Sequence, residues 1–123
     1  MSIALYTAAA LAVGIGVAHS WLGERYILTR LFRQGELPRL FGGTEFTKNT
    51  LRFAWHITTL AWTGFAAILV SIAEDLLSAR TIGLIVGATF GAHFVVALVA
   101  SRGRHYSWIV FLAIAVLAVV ATS

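Results

Sequence analysis

The chain has no cysteine, one proline, one methionine and no acidic residue before Glu24. Without cysteine there can be no disulfide framework, no thiolate metal site and no iron–sulfur cluster. With Met1 as the only thioether, a methionine-lined copper(I) path is also disfavoured, because soft sulfur ligands are what select that ion. Charge is scarce too: Asp, Glu, Lys and Arg make up 11% of 123 residues. That is too little polar surface to wrap a soluble globule.

Apolar residues fill the space instead, at 59% of the chain and a mean hydropathy of +0.88. A membrane-spanning helix needs about 20 mostly apolar residues, and four stretches meet or approach this: about 3–23, 51–73, 81–101 and 107–122. The expected fold is all-α, a single transmembrane domain over 1–123 built as a four-helix up-down-up-down bundle. Short connections force neighbouring helices to run antiparallel. The first stretch is apolar like a secretory signal, but no Lys or Arg precedes Arg25, so it reads as a retained helix.

Basic residues set the expected orientation. Eight of the nine lie in or beside the first and third connections: Arg25, Arg30, Arg33, Arg39, Lys48, Arg52, Arg102 and Arg104. Only Arg80 falls in the second, next to Glu74 and Asp75. This predicts a cytoplasmic loop over 24–50 and both termini on the opposite, non-cytoplasmic side. The net charge of +4 is explained by topology, and no nucleic-acid partner is expected, because no soluble fold presents those arginines. Ile27, Leu28, Leu31 and Phe32 recur at helical spacing, so the first helix is expected to continue past the membrane or along its surface. Pro38 and Gly42-Gly43 then break it, and Thr47 is the expected N-cap of the second helix.

Three of the four histidines, His19, His56 and His93, each lie in a different apolar stretch near its arginine-bearing end. Counted from the cytoplasmic borders they are roughly four to eight residues deep, on the order of 6 to 12 Å at 1.5 Å per residue. An ionisable side chain at such a depth is costly unless it faces the protein interior and has a partner. Helical geometry turns each one inward. His19 shares a face with Ala8, Ala12, Gly16 and Gly23; His56 shares one with Asn49, Arg52, Thr59 and Thr63; His93 lies beside the glycines at 83, 87 and 91.

Neutral imidazole is the commonest ligand for zinc, copper and iron, and a nearby hydroxyl or carboxylate orients the ring. The expected site is therefore a metal set of His19, His56 and His93, with Glu24 and His105 as further ligands. It would hold a non-haem iron, copper or zinc ion, or a b-type haem whose propionates meet Arg25, Arg52, Arg102 or Arg104. Such a site near the cytoplasmic leaflet suits redox, sensing or metal-dependent chemistry. The competing reading is that the histidines are interhelical hydrogen-bond donors, which suits a structural accessory subunit of a larger membrane complex. A small oligomeric transporter is a third reading: size and helix count are similar to the small multidrug resistance exporters, although the carboxylate those carry in the first helix is missing. Membrane lipid is the expected partner in every case, with a homo-oligomer or a larger complex beside it.

The segments Ala18-His19-Ser20-Trp21-Leu22-Gly23-Glu24-Arg25-Tyr26 and Leu51-Arg52-Phe53-Ala54-Trp55-His56 resemble small four-helix bacterial inner-membrane proteins. The resemblance covers about the first half of the chain. It implies a multi-pass protein of the bacterial inner (plasma) membrane and carries no activity with it.

Overall fold

A computed structural model describes residues 2–123. The chain is all-helical. α1, Ser2–Leu22, runs on through a π-helical turn, Gly23–Leu28, into α2, Thr29–Gln34. The remaining helices are α3, Glu45–Ala73, α4, Ala79–Ser101, and α5, Ser107–Val120. Three helical segments are long and apolar enough to cross a membrane: 33 residues over Ser2–Gln34, 29 over Glu45–Ala73 and 23 over Ala79–Ser101. α5, with 14 residues, is shorter, about 21 Å at 1.5 Å per residue.

The expected helix over 3–23 is thus prolonged to Gln34, as the spacing of Ile27, Leu28, Leu31 and Phe32 predicts. Gly35, at φ 76°, ends it in the left-handed conformation that glycine adopts without a steric penalty. The second expected helix starts earlier than 51. Its N-cap is Thr44, and Thr47 lies inside α3 with its hydroxyl donating to the Pro38 carbonyl at 2.8 Å. The hydroxyl chosen as a cap therefore ties the preceding loop to the helix. Ser78 caps α4 by accepting from the Thr81 N–H at 3.0 Å.

Helices pack in chain order: α1 on α3, α3 on α4, α4 on α5. At one end of the first pair Tyr6 donates to Glu74, and at the other Arg52 meets Glu24. α1 and α5 do not pack on each other, so the bundle stays open along one side. The exposed surface reflects this. It measures 7846 Å², about a fifth more than the roughly 6,500 Å² expected of a compact soluble monomer of this mass.

The two outer seams are built differently. Between α4 and α5 small residues make the contact around Gly83 and Gly87, and Phe90, His93 and Phe94 meet Phe111 and Trp108 further along. A Cβ at Gly83 would lie 2.7 Å from the Ala118 carbonyl and overlap the Thr122 hydroxyl, and one at Gly87 would lie 3.2 Å from the Ala115 carbonyl. Close backbone approach of this kind is what small residues permit between membrane helices. Gly91, expected to share that contact, faces open space: a Cβ added there would have no neighbour within 4 Å. Between α1 and α3 the seam is polar, and it carries most of the residues singled out from the sequence.

Candidate functional site

The α1–α3 seam is a ladder of hydrogen bonds. Thr59 donates to the Gly16 carbonyl at 2.8 Å, Ser20 Oγ lies 2.7 Å from Thr59 Oγ1, and His56 Nδ1 lies 2.9 Å from Ser20 Oγ. One turn further on, His56 Nε2 is 3.3 Å from Glu24 Oε2. Glu24 also takes a two-pronged ion pair from Arg52, with Nη2 to Oε1 at 2.7 Å and Nε to Oε2 at 3.1 Å. Such a fork fixes direction as well as charge. One carboxylate at the end of α1 thus holds two cation-forming side chains of α3, and Arg52 in turn lies over the Phe32 ring of α2, 5.1 Å from its centroid.

Glu24 reaches this position from the π-helical turn. A π turn inserts an extra residue into helical register, mostly as a single-turn bulge within an α-helix and frequently at functional sites. Here Thr29 supports it, its hydroxyl donating to the Glu24 carbonyl at 2.6 Å. Gly23 makes room: a Cβ there would overlap the Trp55 ring. Trp55 uses that room to stack on His19, with ring centroids 4.6 Å apart and 2° between planes. The two residues also exchange hydrogen bonds with each other's backbones. Trp55 Nε1–H donates to the His19 carbonyl at 3.0 Å, and His19 Nε2 lies 3.3 Å from the Trp55 carbonyl. Trp62, whose depth suggests contact with lipid or a partner, instead lies 5.2 Å from the His19 ring.

The expected three-histidine site does not assemble. Among the described residues no three His, Cys, Asp or Glu side chains come together to hold a metal ion. His19 and His56 share the α1–α3 seam, but the Trp55 indole covers one face of His19 while His56 turns to Ser20 and Glu24. His93 is elsewhere. It is 6% exposed, its Nδ1 lies 2.6 Å from the Thr89 carbonyl, and its ring sits among Phe90 and Phe111. His105 lies just before α5, its Nδ1 2.8 Å from Ser107 Oγ and 3.4 Å from the Ser107 N–H, and packs on Phe46 and Phe53. Glu24 and His56 are the two expected ligands that touch.

The four arginines assigned to haem propionates are also dispersed. Arg25 lies over Trp21 and Tyr26, Arg52 is held by Glu24, and Arg104 lies over Phe41. Arg102 and Arg104 border a small crevice with Glu45 and Asn49. They do not ring a single slot.

Sequence reasoning places Arg52 and Thr59 on the face of His56 and offers Glu24 as a further ligand, and the structure brings these four together with Ser20. It misses the indole of Trp55, which reads in sequence as an interfacial aromatic. The pairing of a glycine at 23 with a large ring across the seam is the available signal. Comparisons with protein-family models, with curated proteins and with solved structures returned no match.

Proposed function

We propose that the chain is a multi-pass accessory subunit of a bacterial inner-membrane complex, an up-down-up-down set of helices with both termini on the non-cytoplasmic side. The observation that carries this reading is the open side of the helix row. α1 and α5 do not pack on each other, and no large side chain is fully buried among the described residues. Each membrane histidine makes its contacts within the chain: His19 with Trp55, His56 with Ser20 and Glu24, His93 with Thr89. Polar groups so arranged hold helices in fixed relation and leave the broad apolar faces to lipid and to helices of other subunits or copies. The basic first and third connections support the cytoplasmic placement of that end.

Gentle solubilisation of native membranes tests it. The chain is expected to migrate, after crosslinking, in an assembly larger than the monomer and of fixed stoichiometry; a free monomer at native expression level contradicts the reading.

A second reading is favoured by one contact. His56 Nε2 and Glu24 Oε2, 3.3 Å apart, are a nitrogen and an oxygen donor that iron, copper or zinc accepts, and a metal there would displace Arg52 from the carboxylate. Haem has less support, because the arginines expected at its propionates are dispersed over different rings and partners. Elemental analysis and a visible spectrum of gently purified protein distinguish the two readings, since stoichiometric metal or colour lost in His56→Ala supports the second.

A further inference from the structure

α3 and α4 leave a cavity of about 160 Å³ between them, lined chiefly by Ala61, Phe65, Ile68, Val86, Phe90 and His93. It is independent of the α1–α3 seam and of the reading built on that seam. Its walls are nearly all hydrocarbon, yet they include the most deeply buried imidazole of the chain.

The hydrogen bonds of His93 determine what that imidazole offers. A backbone carbonyl can only accept, so the 2.6 Å contact with Thr89 places the hydrogen on Nδ1. In the neutral ring Nε2 then carries a lone pair, and it makes no hydrogen bond among the described residues. Nor is it sealed in. The one sealed side-chain polar atom without a partner among the described residues is Thr50 Oγ1, so Nε2 keeps some accessible surface, and His93 is a lining residue of the cavity.

A lone acceptor in apolar surroundings is costly until a donor reaches it. Lipid acyl chains carry no donor. A water would need two or more polar partners, and beyond the imidazole the one side-chain polar atom in the lining is the Thr89 hydroxyl, which gives its hydrogen to the Ile85 carbonyl and offers only an acceptor. Size narrows the choice further, because an apolar cavity of about 150 Å³ stays dry and accepts a benzene ring. Phe90, with its centroid 5.4 Å from the His93 ring, adds an aromatic wall. We infer that the α3–α4 cavity binds the ring of a lipid-soluble phenol or hydroquinone, its hydroxyl donating to His93 Nε2.

Two probes that differ in one hydrogen-bond donor test this, 4-fluorophenol and 4-fluoroanisole, each titrated into the full chain in nanodiscs and followed by fluorine NMR against empty nanodiscs. The expected result is saturable binding of 4-fluorophenol at least tenfold tighter than 4-fluoroanisole. His93→Phe, which keeps a ring but removes the acceptor, is expected to erase that preference. Ala61→Phe, which fills the cavity without touching His93, is expected to abolish saturable binding of both probes; far-ultraviolet circular dichroism and thermal unfolding establish that each variant is folded. The inference is overturned if the two probes bind alike, if neither saturates, if folded His93→Phe keeps the preference, or if folded Ala61→Phe binds 4-fluorophenol as before. Should His93→Phe fail to fold, the probe comparison and Ala61→Phe decide the matter alone.

Discussion

The two outer seams of the helix row join their helices by opposite means. α4 and α5 meet without a side-chain hydrogen bond between them: Gly83 and Gly87 let the second helix lie against backbone at one end, and rings pack on rings at the other. α1 and α3 meet through added chemistry, a run of hydroxyls, an imidazole, a carboxylate and a guanidinium. The first kind of joint tolerates no extra volume and is indifferent to salt. The second tolerates small changes of shape and responds to loss of a donor or a charge.

The largest expected effect comes from filling the tight seam. Gly83→Leu drives side-chain atoms toward the Ala118 carbonyl and Thr122, and overpacking of this kind costs about 1–3 kcal/mol. Thermal unfolding in detergent is expected to show a clear fall in Tm, whereas Gly91→Leu, with open space around the added carbon, leaves Tm unchanged. Equal losses in the two variants would remove the distinction between the seams.

Next comes the charged end of the polar seam. Glu24→Gln keeps the shape but weakens the bonds from Arg52 and His56. Charge-assisted hydrogen bonds contribute about 1.5–3 kcal/mol, and the Glu24 and Arg52 side chains are 36% and 45% exposed, so solvent screening brings the expected loss to about 1 kcal/mol. The loss should shrink when unfolding is repeated at high salt, while that of Gly83→Leu should not. A salt-independent Glu24→Gln effect would mean that shape, rather than charge, holds this end.

Trp55→Phe keeps a ring beside His19 but removes the N–H that reaches its carbonyl, for an expected loss of up to about 1 kcal/mol. Smallest is Thr59→Val, which deletes the hydroxyl bridging Gly16 and Ser20. Hydrogen bonds between membrane helices average about 0.6 kcal/mol, and equilibrium unfolding of the double variant with Ser20→Ala should show less than the sum of the two single losses.

The contrast between the seams also explains how much the sequence could disclose. Hydropathy made four helical stretches legible, and face arithmetic turned His19, His56 and His93 inward. The same arithmetic put Arg52 and Thr59 on the face of His56, while the reach of Ser20 and Glu24 to that ring is visible only in the structure. What it could not give was direction around the bundle. Depth places His93 level with His56, but α4 meets α3 on another side, and the Phe90 and Phe111 rings enclose that imidazole away from the first seam. The π turn was hidden as well. Nothing in the residue pattern of Gly-Glu-Arg-Tyr-Ile-Leu marks the extra register at Gly23–Leu28, and the closeness of Gly23 to the Trp55 ring is a tertiary contact. Helix boundaries erred where a hydroxyl had two uses, as at Thr47, which binds the Pro38 carbonyl.

α5, with 14 residues, stands beside α4, with 23. Were α5 to cross a hydrocarbon layer of about 30 Å, a helix of about 21 Å would draw the two leaflets together on its own flank, whereas the three longer helical segments would leave them at full thickness. Dimpling a bilayer on one side costs fractions of a kcal/mol per ångström of mismatch. That cost would fall where two such flanks share one dimple, so lipid elasticity would favour thin membrane and neighbours that meet the chain along α5.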